Sequence, residues 1–502
     1  MRSNMNKSIV FISIILSSAL GYGQNSNMTK DQMLQDFDEL LQFLDDFAVH
    51  KDINQLRLGI DYDVAFKNLR KQISKKTSIC EFKEILTKAT NLVQDLHCSF
   101  PKYSYLEMYG KYQKKLNFND DEVYAKVKAI EEACPKEDAN LKLPLLYSQG
   151  NYQFYTDVVY KNDTIKKGSK IVSYNGKDIS SHIKTNYDNV WPIRWNATLK
   201  EPYHKDFYKF GNNTFKLEIE QNDMTKNIQL SLKDSIKYIT KPLREIGYFS
   251  QPKEQVILFE KQNALYIGLP FMDEGQAQNI ITKIDSVSNI QNQFDKILID
   301  VRGNPGGSDM AWRLVLSQII PKNIPFNRDY VFKYNKVALK FYADDSIDVK
   351  EKPLPILNNA KYWSREFNVN SLKPNKNSIN HTGKIYILQD KYIYSSTGNL
   401  SNFCLNSDQL VSIGVSNDFI GGAQTDPLFN KLSNSGLVLR VEPMLDNSNV
   451  KELSDFYHND VEVKVPLTYT DYYDKVSFNG NIYSKEFLLN HDSLIKYILN
   501  EH

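Results

Sequence analysis

The stretch Lys296-Ile-Leu-Ile-Asp-Val-Arg-Gly-Asn-Pro-Gly-Gly307 sets the fold of this chain. Its first half is an apolar run broken only by Asp300, which is the pattern of a strand buried on both faces. Its second half, Arg302 to Gly307, holds three glycines and a proline, so no regular element continues through it. Glycine-rich backbone at the end of a strand presents N–H groups that suit an anion or a developing oxyanion. The alternative is an ordinary tight turn between a strand and a helix.

Length and charge narrow the class of protein. With 502 residues the chain is long enough for two or three domains, each with its own core. The 62 basic and 60 acidic side chains give a net charge of +2, which does not favour a nucleic-acid partner. We find no zinc-finger spacing, no phosphate-binding P-loop and no GxGxxG, so the sequence predicts neither a metal nor an organic cofactor.

The first 23 residues read as a signal peptide. Arg2 and Lys7 supply a basic start, and Ile9 to Leu16 forms a short apolar core ahead of small residues and a cut before Gln24. The apolar part is too short for a membrane span, and no other stretch approaches 18 apolar residues. We therefore expect a secreted or periplasmic protein with no integral membrane span. Four cysteines allow three complete disulfide pairings, among which the sequence does not choose.

The pattern of apolar residues in the remaining chain changes twice, which divides it into three parts. From Thr29 to about Leu96, apolar residues recur at helical spacing, and Ser78 to Glu81 is a capping-box pattern at the start of a third helix. Residues 145–240 are rich in short alternating strands. Beyond residue 250, strands alternate with helices, which predicts a mostly parallel sheet covered on both faces. A polar, proline-dotted insertion between Pro321 and Gly383 is interpreted as surface structure.

Functional groups gather in the loops at the carboxyl ends of strands in such a sheet. Two predicted loops follow the carboxyl end of a strand and carry residues suited to chemistry. One holds Gly306 and Gly307, and the other holds Ser395 and Ser396. A serine at a strand-to-helix junction can expose its hydroxyl near a helix N-terminus, although it can also simply cap that helix. The GxSxG pattern of a nucleophile elbow is absent, because Tyr394 occupies the position that needs glycine.

His97 follows the third predicted helix, beside that helix's apolar stripe. It reads either as a general base or as a partly buried histidine bonded to terminal carbonyl groups. A helix C-terminus would raise its pKa and favour the imidazolium that a general base carries transiently.

Together these motifs resemble the C-terminal-processing, or tail-specific, serine peptidases and their tricorn-type relatives, over roughly residues 30–500. In chain order they are Asp95-Leu-His97, Gly168-Ser-Lys-Ile-Val-Ser-Tyr-Asn-Gly-Lys-Asp-Ile179, Asp300 to Gly307, Tyr394-Ser-Ser-Thr397, Ile413-Gly414, Asp418 to Gly422 and Leu432 to Leu437. The second phrase is typical of PDZ-like modules. The resemblance implies a multidomain α+β and α/β protein. Its expected parts are a signal peptide over 1–23, an N-terminal helical domain over 24–144, a PDZ-like β module over 145–240 and a ClpP- or crotonase-like α/β peptidase core over 250–502.

The resemblance also implies roles for the two loops. The family nucleophile falls on Ser395, three positions before Gly398, where the family has a glutamate. The backbone N–H groups of Gly306 or Gly307, and of Ser396, would form the oxyanion hole, whose donors meet charge that exists only in the transition state.

The base and its orienting acid follow from the tricorn-type relatives. The stretch from Gly414 to Gly422 lacks the lysine of the tail-specific members, so His97 stands as the general base. Glu452 and Asp455 lie in the stretch where the tricorn-type relatives carry a third, orienting acid, and Glu452 is the expected one. Asp95 lies two residues from His97, a spacing that in a helix turns it to another face.

Two functions remain open from sequence. One is an exported serine endopeptidase that hydrolyses protein or peptide substrates through a Ser395 acyl-enzyme, without metal or organic cofactor. The other is a catalytically inactive member of the fold that binds a ligand or a peptide. The missing lysine and Gly398 favour the second function.

Overall fold

The computed structural model describes residues 28–112, 121–134, 140–240, 242–244, 251–291, 293–326, 328–342, 349–367, 371–418, 427–448, 450–456 and 461–500. The predicted signal peptide, residues 1–23, lies outside this set. None of the helices within these ranges combines the length and the apolar character that crossing a bilayer requires.

Fourteen helices occur in the described ranges. They are α1 (Lys30–Phe47), α2 (Val49–Leu58), α3 (Tyr62–Gln72), α4 (Ile79–Val93), α5 (Tyr103–Tyr112), α6 (Asp121–Ala133), α7 (Ile179–Lys184), α8 (Glu274–Ser288), α9 (Asp309–Ser317), α10 (Lys336–Tyr342), α11 (Ser396–Cys404), α12 (Tyr469–Ser477), α13 (Lys485–Asn490) and α14 (Ser493–Asn500). The capping box predicted at Ser78 forms, with both reciprocal bonds to Glu81.

Twenty-two strands occur in the same ranges. They are β1 (Leu145–Ser148), β2 (Asn151–Phe154), β3 (Val158–Tyr160), β4 (Asp163–Ile165), β5 (Lys170–Tyr174), β6 (Arg194–Asn196), β7 (Glu201–Tyr203), β8 (Thr214–Gln221), β9 (Met224–Ser231), β10 (Lys237–Tyr238), β11 (Gln255–Phe259), β12 (Ala264–Gly268), β13 (Lys296–Asp300), β14 (Arg328–Lys333), β15 (Val349–Leu354), β16 (Ala360–Phe367), β17 (Lys384–Gln389), β18 (Leu410–Gly414), β19 (Leu428–Lys431), β20 (Val438–Val441), β21 (Leu445–Asp446) and β22 (Val463–Lys464).

The chain folds into two compact units. The first takes in the chain up to Asp138, together with Asn335–Ala338 and Asp426–Pro443. The second comprises Ala139–Tyr334, Leu339–Thr425 and Met444–His502.

The first unit combines the six N-terminal helices with the β19–β20 hairpin. The carboxylate of Asp36, fully buried, accepts hydrogen bonds from the N–H groups of Asn434 (2.8 Å) and Ser435 (2.7 Å) beside this hairpin. Apolar side chains of the hairpin pack with helices α5 and α6 in one cluster: Phe429, Val438, Leu106, Val123 and Val127. A disulfide joins Cys80 to Cys134, the pairing that sequence left open. The predicted boundaries of a separate helical domain, 24–144, stay a prediction.

The second unit is built on a six-stranded sheet of order β11-β12-β13-β17-β18-β22. β11 runs antiparallel to β12, and every other neighbouring pair is parallel. Helices α8, α9 and α11 cover one face, where their apolar residues pack against Ile297 and Ile299. Helices α13 and α14 cover the other face, against Leu298. The apolar run in β13 is thus buried on both sides, which confirms a core of mixed α and β structure.

Five of the strands within residues 145–231 form an antiparallel sheet of order β1-β2-β5-β8-β9, with the Asn175-Gly176 turn directly after β5. Its likeness to a PDZ module stays a prediction. The insertion between Pro321 and Gly383 is more regular than expected. It supplies three strands, β14 to β16, of a four-stranded sheet that β21 completes.

Candidate active site

Two loops stand side by side at the carboxyl edge of the six-stranded sheet. β13 and β17 are parallel neighbours with Asp300 opposite Leu388, so the chain segments that follow them leave the sheet at the same edge. The first segment carries Gly306 and Gly307, and the second carries Ser395. This is the edge at which open α/β sheets place their functional groups.

Ser395 is held in a strained backbone conformation directly before α11. Its φ of 55° and ψ of −123° favour glycine over any residue with a side chain. Although it occupies the N-cap position, its side chain makes no capping hydrogen bond. The next residue is bound differently, since the Ser396 hydroxyl donates to Asp309 Oδ1 at 2.7 Å. Of the two serines, Ser396 is therefore tied to the scaffold, and Ser395 carries the strain typical of a functional position.

Gly306 lies directly against Ser395. A Cβ on Gly306 would fall 2.7 Å from the Ser395 Cβ and 3.0 Å from the Ser396 nitrogen. The Gly306 N–H donates to Asn304 Oδ1 at 2.9 Å, and its carbonyl accepts from the Met272 N–H at 3.1 Å. Both polar groups of the Gly306 backbone are therefore engaged within the turn.

Gly307 is exposed, with a φ of 140°. Among the hydrogen bonds of the described ranges, none is donated by the N–H of Gly307 or by the N–H of Ser396. These two N–H groups are the donors that the two loops leave available for an oxyanion.

Beneath the glycine turn lies a buried ion cluster. The Arg302 guanidinium bonds to Asp300 at 2.7 Å and to Asp492 at 2.8 Å, with all three side chains almost fully buried. Burial alone would raise the pKa of Asp492, but the charge and hydrogen bonds of Arg302, together with the charge of Lys475, outweigh it and hold that pKa below its usual value. The cluster fixes the point at which the chain leaves β13.

His97 belongs to the first unit, in a turn rather than on a helix. Helix α4 ends at Val93, and Gln94 adopts a left-handed conformation with a φ of 54°. The chain then turns, so that the His97 N–H donates to Asp95 Oδ1 at 3.1 Å and the His97 Nδ1 lies 3.6 Å from the same oxygen. Helical spacing therefore misjudged Asp95: the helix has already ended, and the carboxylate faces the imidazole.

The expected rise in the pKa of His97 is also wrong. Burial and the nearby positive charge of Arg440 lower the pKa of His97 to about 4, although Asp95 acts in the opposite direction. Arg440 is close because Ser99 pairs with it as an isolated β-bridge. The imidazole is therefore neutral at pH 7, the state in which a base accepts a proton.

Glu452 belongs to the second unit, where it is exposed at the start of a short 3₁₀ turn, and its N–H donates to Asp455. Its role as the orienting acid stays a prediction. The carboxylate found beside His97 is that of Asp95.

Sequence reasoning missed Asp309 and Asp390, whose carboxylates bind the two loops. An acidic residue in the first turn of the helix after a glycine turn was the available signal for Asp309. For metals, the described part of the chain contains no group of three or more histidine, cysteine or acidic side chains able to hold an ion.

Comparison with known proteins bears on the fold of this domain. Residues 263–455 match the profile of peptidase family S41. The structure is similar to that of mature CPAF, with a TM-score of 0.55 at 12% identity, covering 93% of this chain and 98% of the other. CPAF complexed with lactacystin gives the same TM-score and identity, with coverages of 94% and 99%. At this identity the likeness establishes the fold alone.

The photosystem II D1 C-terminal processing protease matches with a TM-score of 0.38 at 14% identity, over 88% of this chain and 94% of the other. A TM-score this low does not establish a shared fold. No curated protein sequence matches the chain significantly. The family match covers the six-stranded sheet from β12 to β18 and both of its loops, and the chain therefore contains a domain of peptidase family S41.

Proposed function

We propose that this protein is an exported serine endopeptidase of the tail-specific type, with Ser395 as its nucleophile. The observation that carries the proposal is the strained backbone of Ser395, at the N-terminus of α11 and in contact distance of Gly306. A folded protein keeps such strain where the surrounding structure demands it, and active sites are the usual place.

The chemistry follows from the groups available. The Ser395 oxygen attacks the carbonyl carbon of a peptide bond while its proton passes to His97, the proposed general base. The Gly307 and Ser396 N–H groups stabilise the oxyanion of the tetrahedral intermediate. Collapse breaks the C–N bond, the departing amine takes the proton from His97, and water then hydrolyses the acyl-enzyme. The imidazole of His97 is unprotonated at neutral pH, as a base must be, but a pKa of about 4 makes it a weaker proton acceptor than an ordinary histidine.

Substrate and location belong to the same proposal. A peptidase domain implies protein or peptide substrates. Cleavage before Gln24 would release a mature protein into the periplasm or the medium, as the basic and apolar pattern of residues 1–23 suggests.

The test is labelling of the mature protein, starting at Gln24, with a fluorophosphonate probe, followed by mass mapping of the labelled peptide. We expect one label on Ser395, which is absent in Ser395→Ala and strongly reduced in His97→Ala. Asp408→Asn serves as the control, because Asp408 is an exposed carboxylate in the same unit as Ser395. This variant should be labelled like the wild type.

Other outcomes overturn parts of the proposal. A label on Ser396 keeps the peptidase and moves the nucleophile. Full labelling of the His97→Ala protein removes the histidine base. Folded protein that takes no label, but binds a peptide saturably at one site, establishes the inactive binding protein instead.

A further inference from the structure

We propose that two carboxylates, Asp390 and Asp309, are positioning residues that lock the glycine turn to the nucleophile loop from opposite sides. The inference rests on the proposed function, because it assigns these residues to the geometry of the same site. Neither carboxylate is placed in contact with the substrate, so each acts through the backbone that it holds.

Asp390 bridges the two loops with a single oxygen. Its Oδ1 accepts the Gly303 N–H at 2.9 Å from the glycine turn and the Tyr392 N–H at 2.9 Å from the nucleophile loop. The residue is fully buried, so water does not replace these bonds. A backbone bond from the Tyr394 N–H to the Asn304 carbonyl, 3.2 Å long, reinforces the same link one residue before Ser395.

Asp309 makes the second link, between the N-termini of two helices. It is the first residue of α9, directly beyond the glycine turn, and its carboxylate accepts from two side chains in the first turn of α11. The Ser396 hydroxyl donates at 2.7 Å, and the Asn399 amide donates at 3.0 and 3.1 Å. The Trp312 indole, 3.2 Å away, holds the carboxylate in place from within α9.

The two links determine one distance, that between the Gly307 N–H and the Ser396 N–H. An oxyanion must meet both donors at 2.7 to 3.1 Å, and errors of about 1 Å in such sites cost about 100-fold in rate. Asp390 holds the two loops at their bases, and Asp309 holds the segments just beyond Gly307 and Ser395. The same links keep Ser395 in its strained conformation, because Gly306 is packed against its Cβ.

The test compares Asp390→Asn with Asp390→Leu in the full mature chain. Both changes remove the charge, but asparagine keeps an Oδ1 that accepts both N–H groups, whereas leucine has the same branched skeleton, with methyl groups in place of the polar atoms, and no acceptor. Two quantities are measured: the second-order rate of fluorophosphonate labelling at Ser395, and hydrogen–deuterium exchange of the peptides that span the two loops. Ser396→Ala, which removes the hydroxyl bound to Asp309 and keeps the N–H, tests the second link. Asp408→Asn is the matched surface control.

We expect Asp390→Asn to label within about 3-fold of the wild type, and Asp390→Leu to label about 100-fold more slowly. Leucine should also speed exchange in both loops at once, while Ser396→Ala should slow labelling about 10-fold at an unchanged melting temperature. Equal labelling and equal exchange in Asp390→Asn and Asp390→Leu would overturn the inference. Should Asp390→Leu fail to fold, an unchanged labelling rate in Ser396→Ala overturns it instead, and a slowed rate supports it. A wild type that takes no label overturns the proposed function, and the exchange comparison then still decides whether the carboxylates couple the two loops.

Discussion

The Cβ of Ser395 lies 2.7 Å from the point where a Cβ on Gly306 would stand, so the two residues admit no side chain at position 306. Gly306 also has a φ of 101°, which an L residue avoids. Backbone atoms form part of the obstacle, because the Tyr394 carbonyl oxygen lies 2.7 Å from the same point.

Gly306→Ala should therefore displace Ser395 and reduce fluorophosphonate labelling about 100-fold. Gly168→Ala is the matched control, since Gly168 has a φ of 83° and no atom within 4 Å of its added Cβ. Both variants incur backbone strain, and only the first crowds the nucleophile. Equal labelling of the two variants would contradict the argument.

Ser395→Gly should stabilise the fold while abolishing labelling. A backbone conformation that favours glycine costs a residue with a side chain about 1 kcal/mol or more. Ser395→Ala removes the hydroxyl and keeps the strain. The difference in unfolding free energy between the glycine and alanine variants therefore reports the free-energy cost of this backbone conformation. Urea denaturation measures it, and a glycine variant no more stable than the alanine variant would show that the strain is absent.

Acid should destabilise the protein through His97. Its pKa is about 4 when folded, against an ordinary value of 6.5, so between these values the unfolded chain binds a proton that the native protein does not. This contribution is complete above pH 6.5 and is lost as the pH falls towards about 4, by at most about 1.4 kcal/mol per pH unit. Asp418 acts in the opposite direction, because burial raises its pKa to about 6.

The comparison of the wild type with His97→Gln separates these effects. The Asp418 contribution is common to both proteins, so the difference in their unfolding free energies isolates the histidine. That difference should shrink as the pH falls from 6.5 to 4. A constant difference across this range would mean that His97 is protonated in the folded protein.

Replacing Arg302 should be far more damaging than replacing a surface cation. Arg302→Met removes the guanidinium that pairs with both buried carboxylates, Asp300 and Asp492, which costs about 3 to 5 kcal/mol. Arg302→Lys should rescue little, because one ammonium group does not reproduce the forked contacts to two carboxylates. Lys361→Met removes an exposed ion pair with Glu351 and should leave the unfolding free energy nearly unchanged. Similar losses in Arg302→Met and Lys361→Met would contradict the burial argument.

Reduction of the Cys80–Cys134 disulfide should loosen the first unit. The bridge closes a loop of 54 residues, and the loss of that constraint is worth roughly 4 kcal/mol in the chain-entropy account. A reducing agent should lower the melting temperature of the wild type and have no effect on a Cys80→Ala, Cys134→Ala protein. A wild type insensitive to reduction would show that the loop is held by its packing alone.

Sequence pattern predicted the parts of the fold that depend on one continuous segment. The apolar run before Asp300 predicted a strand buried on both faces, and the glycines after Arg302 predicted its abrupt end. The alternation of strands and helices then predicted that Gly306 and Ser395 would emerge at one edge of a parallel sheet. Each inference needed only local periodicity and the handedness of the crossover connection.

The features that sequence missed depend on contacts between distant segments or on unusual backbone. Gln94 adopts a left-handed conformation without being glycine, so the end of α4 was placed too late and Asp95 was turned away from His97. The regular strands between Pro321 and Gly383 pair partly with β21, about a hundred residues further on. The sequence around one strand does not indicate which distant strand will pair with it.

The β19–β20 hairpin gives the first unit an order of assembly. During translation, α1 is synthesised hundreds of residues before Asn434 and Ser435. These two residues donate the backbone hydrogen bonds to the buried carboxylate of Asp36 in α1. Arg440, whose charge adds to burial in lowering the pKa of His97, is also synthesised late. The N-terminal helices therefore wait, with an unpaired carboxylate in their interior, until nearly nine-tenths of the chain has been made. A chain truncated before residue 428 should consequently be unstable. It would also lack the segment that surrounds His97 in the complete protein.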